Sequence, residues 1–279
     1  MGNISSNKLG QVLHLTLDRP EKKNALTPAM YSDLSKALIA AKDDFDIRVV
    51  VISGAGSAFT GGNDILDFMD TPPTGPDSPV MQFLAVLHDF PKPLIAAVHG
   101  NAVGIGTTML MHCDLVYATA DAKLSMPFVS LGLVPEAGSS LLFPRLVGHA
   151  IASEIFLTGR NFSGTEAHQM RLVNEIVSDP LVKALEVAEV IANQPPASVI
   201  NTKALLKSGH HQAVSMVMEA ESELFRIALE SDEAQIAFMK FLEKKSKGKK
   251  CHWPENEYLS LGDLGESGLQ SHCERQLTG

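Results

Sequence analysis

The stretch KPLIAAVHGNAVGIGTTMLMHCDLVYA, residues 92–118, decides the fold class. Its LIAAV run holds no polar residue, as a strand covered on both faces requires, and the strand reading extends over 94–100. The glycine-bearing turn that follows opens into an apolar helix, and LVYATA (115–120) reads as the next strand. The same order occurs upstream. VLHLTLD (12–18) alternates leucines with polar residues, the pattern of a half-buried strand. Thr27 before Pro28 is a helix N-cap followed by proline at the first helical position, and Tyr31, Leu34, Leu38 and Ala41 share one face of that helix. RVVVISG (48–54) is a second nearly all-apolar strand, so the chain begins as a strand–helix–strand unit.

Downstream, 70–79 is a proline-rich loop, and 80–90 reads as a helix ended by Pro91. Residues 149–175, 180–193, 196–208 and 211–245 read as helical, with Ser231 opening a new helix inside the last. The expectation is an α/β core over 1–195 and a helical region over 196–245. Residues 246–279 lack periodicity and read as a disordered or fusion-derived tail without a functional role.

Composition narrows the function classes. A net charge of −9 offers no basic face to neutralise phosphates, so no nucleic-acid partner is expected. The basic run near 240–250 reads as a solvated helix end. No apolar run reaches the length of a membrane span, and neither a signal pattern nor a peroxisomal tripeptide is present, so a cytoplasmic location is expected. Cys113, Cys251 and Cys273 give an odd count without metal-ligand spacing, and the histidines show none either, so neither disulfides nor a metal site are expected.

Two glycine-bearing turns follow buried strands: SGAGSAFTGGNDILDF (53–68) and HGNAVGIGTTML (99–110). Each turn could direct backbone N–H groups at one oxygen, and each could equally be a simple turn. Neither matches a dinucleotide fingerprint or a P-loop. Asp64 and Asp67 also suit a helix N-terminus. SLGLVPEAGSSLLFP (130–144) poses a further question, because its one carboxylate, Glu136, stands among small and apolar residues. Composition leaves it either an exposed loop acid or a base in an apolar pocket.

Taken together, LDRPEKKNAL (17–26), AFTGGNDILDF (58–68), residues 92–118, MPFVSLGLVPEAGSSLLFPRLVG (126–148) and LTGRNFSGTEAHQMRLVNEIV (157–177) resemble the enoyl-CoA hydratase/isomerase, or crotonase, family. The resemblance covers roughly residues 8–245. It implies a spiral of ββα units, a helical C-terminal region that builds a homotrimer or a dimer of trimers, and an acyl-CoA thioester substrate. It also implies an oxyanion hole made by the backbone N–H groups of Asn63 and Ile105, each donor worth about 3 kcal/mol in the transition state. No cofactor or metal is implied, since CoA belongs to the substrate. Lys22 and Lys23 resemble contacts to CoA phosphates, and Ala25 and Leu26 would flank the CoA. Gly61, Gly62, Asp64, Ile65, Gly104, Phe128 and Leu133 complete the implied substrate-binding set.

Hydratases of the family use two glutamates, whose positions here are Thr108 and Phe128. The carboxylate stands instead at Glu136, in Pro-Glu-Ala-Gly, which resembles the Δ3,Δ2-enoyl-CoA isomerase branch. There a single glutamate moves a proton from C2 to C4. Apolar neighbours such as Phe128, Leu133 and Val134 are expected to raise its pKa. The alternatives are another reaction of the family (hydration, thioester hydrolysis or dehalogenation), with His88, His99 and Asp64 as possible additional groups, or an inactive acyl-CoA-binding trimer.

Overall fold

The computed structural model describes residues 3–65, 67, 75 and 77–247, with side chains to residue 243. Residues 1–241 form one compact unit, and Leu242–Gly279 a second, of which only the helical segment to Lys247 is described. The tail expected from 246 therefore lies, beyond Lys247, outside the described residues, as does most of the 70–79 loop.

Strands β1 (Ile4–Leu9) and β2 (Val12–Leu17) form an antiparallel hairpin. Helix α1 (Pro28–Asp43) then leads to β3 (Val49–Gly54), and α2 (Pro79–Asp89) to β4 (Leu94–Val98). β5 (Asn101–Val103) follows, then the short α3 (Ile105–Thr108), β6 (Leu115–Ala118) and β7 (Lys123–Ser125). The remainder is α4 (Ser139–Val147), α5 (His149–Thr158), β8 (Phe162–Ser163), α6 (Gly164–Gln169), β9 (Glu175–Ile176), α7 (Pro180–Ala192), α8 (Pro196–Ser208), α9 (His211–Leu229) and α10 (Asp232–Lys247). The larger sheet runs β1-β2-β3-β4-β6-β9, parallel from β2 onward, and the smaller one β5-β7-β8.

The apolar runs read in the sequence have a direct cause. In β3, Val50 and Ile52 enter the main core, while Val49 and Val51 face a second core. That second core is closed by Ala184, Ala188 and Ala192 of α7, whose small side chains let the helix lie close to the sheet. Helix α1 starts where expected: the Thr27 side chain accepts from the Met30 N–H, and Met30, Tyr31, Leu34, Leu38 and Ala41 are buried.

Two expectations are corrected, and two further elements were not anticipated. The apolar helix after the second glycine turn is only α3 and a 3-10 turn, Met109–Met111. The helix expected over 149–175 is broken at Gly159, after which Phe162–Ser163 pairs with β7 and Ser163 caps α6 in a capping box with Glu166. Ser139–Val147 is helical with Pro144 inside it, and β1 exists with almost no buried residue, held by pairing to β2. Among the described residues no helix is long and apolar enough to cross a membrane.

The chain leaves the large sheet at Val98 and enters the small one at Asn101 through Gly100. Gly100 has φ +59, and a Cβ there would lie 2.1 Å from the Ser57 carbonyl oxygen. Both the left-handed backbone and the contact exclude a side chain. Gly100→Ala is expected to destabilise the protein by at least about 2 kcal/mol, combining strain and overpacking. A wild-type urea midpoint would refute this.

Candidate active site

The loops that build the site lie at the carboxyl ends of parallel strands, where open α/β sheets bind ligands. Residues 19–26 follow β2, the first glycine turn follows β3, and the second follows β4. Backbone hydrogen bonds lace them together. Gly61 N–H donates to Lys23 O (2.7 Å), Leu26 N–H to Gly62 O (2.8 Å) and Asp64 N–H to Leu26 O (2.9 Å). Thr60 N–H donates to Asn101 O (2.9 Å), and Val103 N–H returns to Thr60 O (3.1 Å). Gly62, at φ +85, sits so close to Val103 that a Cβ would lie 2.8 Å from its carbonyl oxygen. The two glycine turns are thus packed directly on one another.

Asn24 is the centre of this lacing and was not singled out in the sequence. Fully buried at φ +55, it donates from Nδ2 to Ala58 O (2.7 Å) and Ala55 O (2.8 Å). Its Oδ1 accepts from Arg19 N–H (2.9 Å), and its carbonyl accepts from the Thr60 hydroxyl (2.7 Å). The signal was an asparagine in a lysine-rich loop; the acceptors of its Nδ2 are more than thirty residues away. Asp64 forms an ion pair with Arg19 at 2.7 Å.

Asn63 and Ile105 stand in the two turns with backbone N–H groups that donate to no other described residue. The Asn63 side chain is fixed by the Tyr31 hydroxyl, which donates to Oδ1 at 2.5 Å. Tyr31 is buried against Phe83, with ring centroids 5.4 Å apart. Burial, and secondarily the charge of Glu136, hold its phenol well above the usual range. Tyr31 therefore bonds to the first glycine turn and also feels the Glu136 carboxylate.

Glu136 is buried, with 6% of its surface exposed, and its Oε1 has no hydrogen-bond partner. Burial first, and the Glu221 carboxylate second, push its pKa up to about 8. The turn that carries it has two successive left-handed residues, Ala137 (φ +61) and Gly138 (φ +70). The buried His112, with its pKa pushed down to about 3 chiefly by burial, donates from Nε2 to Ala137 O at 2.7 Å. Glu221 of α9 accepts from Gly138 N–H (2.6 Å) and Ser140 N–H (2.8 Å). Glu136 opens into a cleft of about 480 Å³ between α2 and α9, whose apolar wall is Met81, Leu84, Ala85, Met218 and Phe225.

The raised pKa expected for Glu136 is borne out, with a different wall. Phe128 and Leu133 are buried in the main core, and neither they nor Val134 line this cleft. Thr108 is buried with its hydroxyl unpartnered. Lys22 and Lys23 are exposed, Ala25 is half-buried and Leu26 is buried, all beside the first glycine turn. Gly61, Ile65 and Gly104 are half-exposed in the turns. Of the three additional groups weighed, His88 reaches the cleft, His99 bonds to Gly56 O at 2.9 Å, and Asp64 is held by Arg19.

Sequence spacing also missed a cluster at the cleft rim. His88, Asp89 and His211 bring possible metal-ligand atoms within 4.8 Å of one another. The two imidazoles are stacked, with centroids 4.2 Å apart and planes 26° from parallel. Lone pairs lie in the ring planes, so stacked rings do not converge on one ion. His88 Nε2 is also within 3.1 Å of the Ser215 hydroxyl, and His211 within 3.1 Å of Asp89. The cluster as folded is a hydrogen-bonded rim.

Among the described residues, the site thus gathers a buried carboxyl with an unpartnered oxygen and two backbone N–H groups that donate to no partner. The family model for enoyl-CoA hydratase/isomerase matches residues 7–255. Enoyl-CoA delta isomerase 2 of Rattus norvegicus is 36% identical over 85% of this chain; the chain spans only 63% of that relative's length. The 2,3-dehydroadipyl-CoA hydratase of Escherichia coli is 32% identical over 88% of this chain and 98% of its own. Among solved structures, OdaA of Pseudomonas aeruginosa superposes with a TM-score of 0.85 at 45% identity, covering 87% of this chain and 99% of that one. The spiral α/β architecture, the loops gathered at its strand ends and these likenesses place the chain in the enoyl-CoA hydratase/isomerase family.

Proposed function

We propose that the protein is an enoyl-CoA isomerase that shifts a 3-ene to the trans-2 position by a 1,3-proton transfer through Glu136. The buried carboxyl with an unpartnered oxygen carries this reading. When ionised, it removes a proton from C2 of the acyl chain. The electron pair passes to the thioester carbonyl, giving a dienolate whose oxygen accepts from Asn63 N–H and Ile105 N–H. The same carboxyl, now protonated, delivers its proton to C4, and the double bond settles between C2 and C3. One group suffices because it gives back what it took. The shift is redox-neutral and draws on no cofactor. The apolar cleft wall keeps water from the dienolate.

Lys22 and Lys23, exposed beside the first glycine turn, suit CoA phosphates, and Ala25 and Leu26 flank the CoA through their backbone. Exposed Leu205, Leu206, Met216 and Leu224 on α8 and α9 suit assembly into a trimer or a dimer of trimers.

Hydration is the second reading, favoured by His88 in the cleft and by the hydratases among the relatives. The two positions where family hydratases carry glutamates, Thr108 and Phe128, speak against it. Glu221 enters the cleft too, but both its oxygens are occupied by backbone N–H groups. A panel of 2- and 3-enoyl-CoAs, followed by conjugated-enoyl absorbance and product mass, separates the readings: an isomer keeps its mass and a hydrate gains water. Binding without turnover of any member would favour an inactive acyl-CoA-binding protein.

Three outcomes are expected around Glu136. Glu136→Gln lowers kcat on 3-enoyl-CoA by at least about 10²-fold; near-wild-type turnover would sink the assignment. In the wild type, kcat/KM rises as Glu136 ionises, with its limb near pH 8. Stability runs the other way. Below about pH 4.3 the carboxyl is protonated folded or unfolded, and the penalty is absent. Between there and about 8 only the unfolded chain ionises, so stability falls by a few kcal/mol. Glu136→Gln is therefore more stable than wild type at pH 8, and the gain shrinks at pH 5. Urea unfolding at both pH values checks this, and an equal difference at both would contradict the burial account.

A further inference from the structure

We propose that Glu221 is a positioning residue for Glu136: it clamps the Glu136 turn from α9 and sets its own negative charge against Glu136 in the same cleft. The inference rests on Glu136 being the acid/base. Helix α4 has no side-chain cap of its own, because its N-cap is Gly138. Glu221, more than eighty residues away, supplies that cap through Gly138 N–H at 2.6 Å and Ser140 N–H at 2.8 Å. It does so while 6% exposed. An alanine held left-handed costs about 1 kcal/mol, so the turn needs external support. His112 holds it at Ala137 O, and Glu221 at the next N–H groups. With the backbone on the C-terminal side of Glu136 fixed, its side chain has a defined direction into the cleft.

The charge has a second effect. Burial raises Glu221 above the ordinary carboxyl range, but two N–H donors offset part of this, whereas Glu136 Oε1 has none. Glu221 therefore ionises first, and Glu136 loses its proton against a charge already present. The other titratable groups around the pair are Tyr31 of α1, His88 and Asp89 of α2, His112, and Glu219, Glu223 and Arg226 of α9. Arg226 is engaged by Glu223 and Glu230, at 2.9 Å each.

Glu221→Gln and Glu221→Asp separate the two effects. Glutamine keeps the shape and removes the charge. The acid limb of kcat/KM is expected to move down by about one pH unit, and kcat to fall about tenfold or more through loosened aim, with KM little changed. Aspartate keeps the charge and shortens the reach, so kcat falls and the limb stays. Carboxyl-labelled glutamate followed by carbon-13 NMR reports the titration of Glu136 independently of turnover, with Glu136→Gln assigning the resonance. A folded Glu221→Gln protein with wild-type kcat and an unmoved Glu136 resonance overturns the proposal. If glutamine prevents folding, a wild-type kcat in Glu221→Asp overturns it instead. Retained activity in Glu136→Gln refutes the acid/base reading itself, and the NMR titration then still tests whether Glu221 sets the Glu136 pKa.

Discussion

The desolvation of Glu136 is the constraint around which the cleft is organised. A carboxyl in water is ionised at neutral pH and a weak base. Buried with Oε1 unpartnered, Glu136 has its pKa pushed up to about 8, chiefly by desolvation. That burial is unfavourable for folding, so the surroundings hold it in place. α2 and α9 border the cleft it faces, His112 and Glu221 fix its turn, and Tyr31, which feels its charge, donates to Asn63.

The second constraint is the backbone of the loops that border the site. Parallel strands release their loops at one end of the sheet. The loops after β2, β3 and β4 hydrogen-bond to one another instead of to water, with Asn24 buried at their junction. Several of their N–H groups are consumed in that lacing. Those of Asn63 and Ile105 donate to no partner among the described residues. Rigid lacing matters because a donor aimed in advance needs no reorganisation during reaction.

The family hosts both double-bond shifts and water addition, as the names of the relatives show. On the reading proposed above, the two chemistries differ in how many bases are free to act. Here Glu136 has a free oxygen, Glu221 has both oxygens committed, and His88 shares Nε2 with Ser215.

The sequence alone determined the α/β class, the buried parallel strands, the start of α1 and the family, because these rest on local periodicity and on motifs in order. It marked Glu136 as the odd carboxylate. It misread the chain after Thr158, where pairing to β7 overrides a helical pattern, and gave no sign of β1, whose residues are mostly exposed. Whether Glu136 was solvated or buried, and which walls enclosed it, was decided only by tertiary structure. The groups that settle it, Met81, Leu84, Met218, Phe225 and Glu221, lie on helices some fifty and eighty residues away along the chain. Desolvation is a property of what packs against a group in space, and no local pattern around residue 136 encodes it.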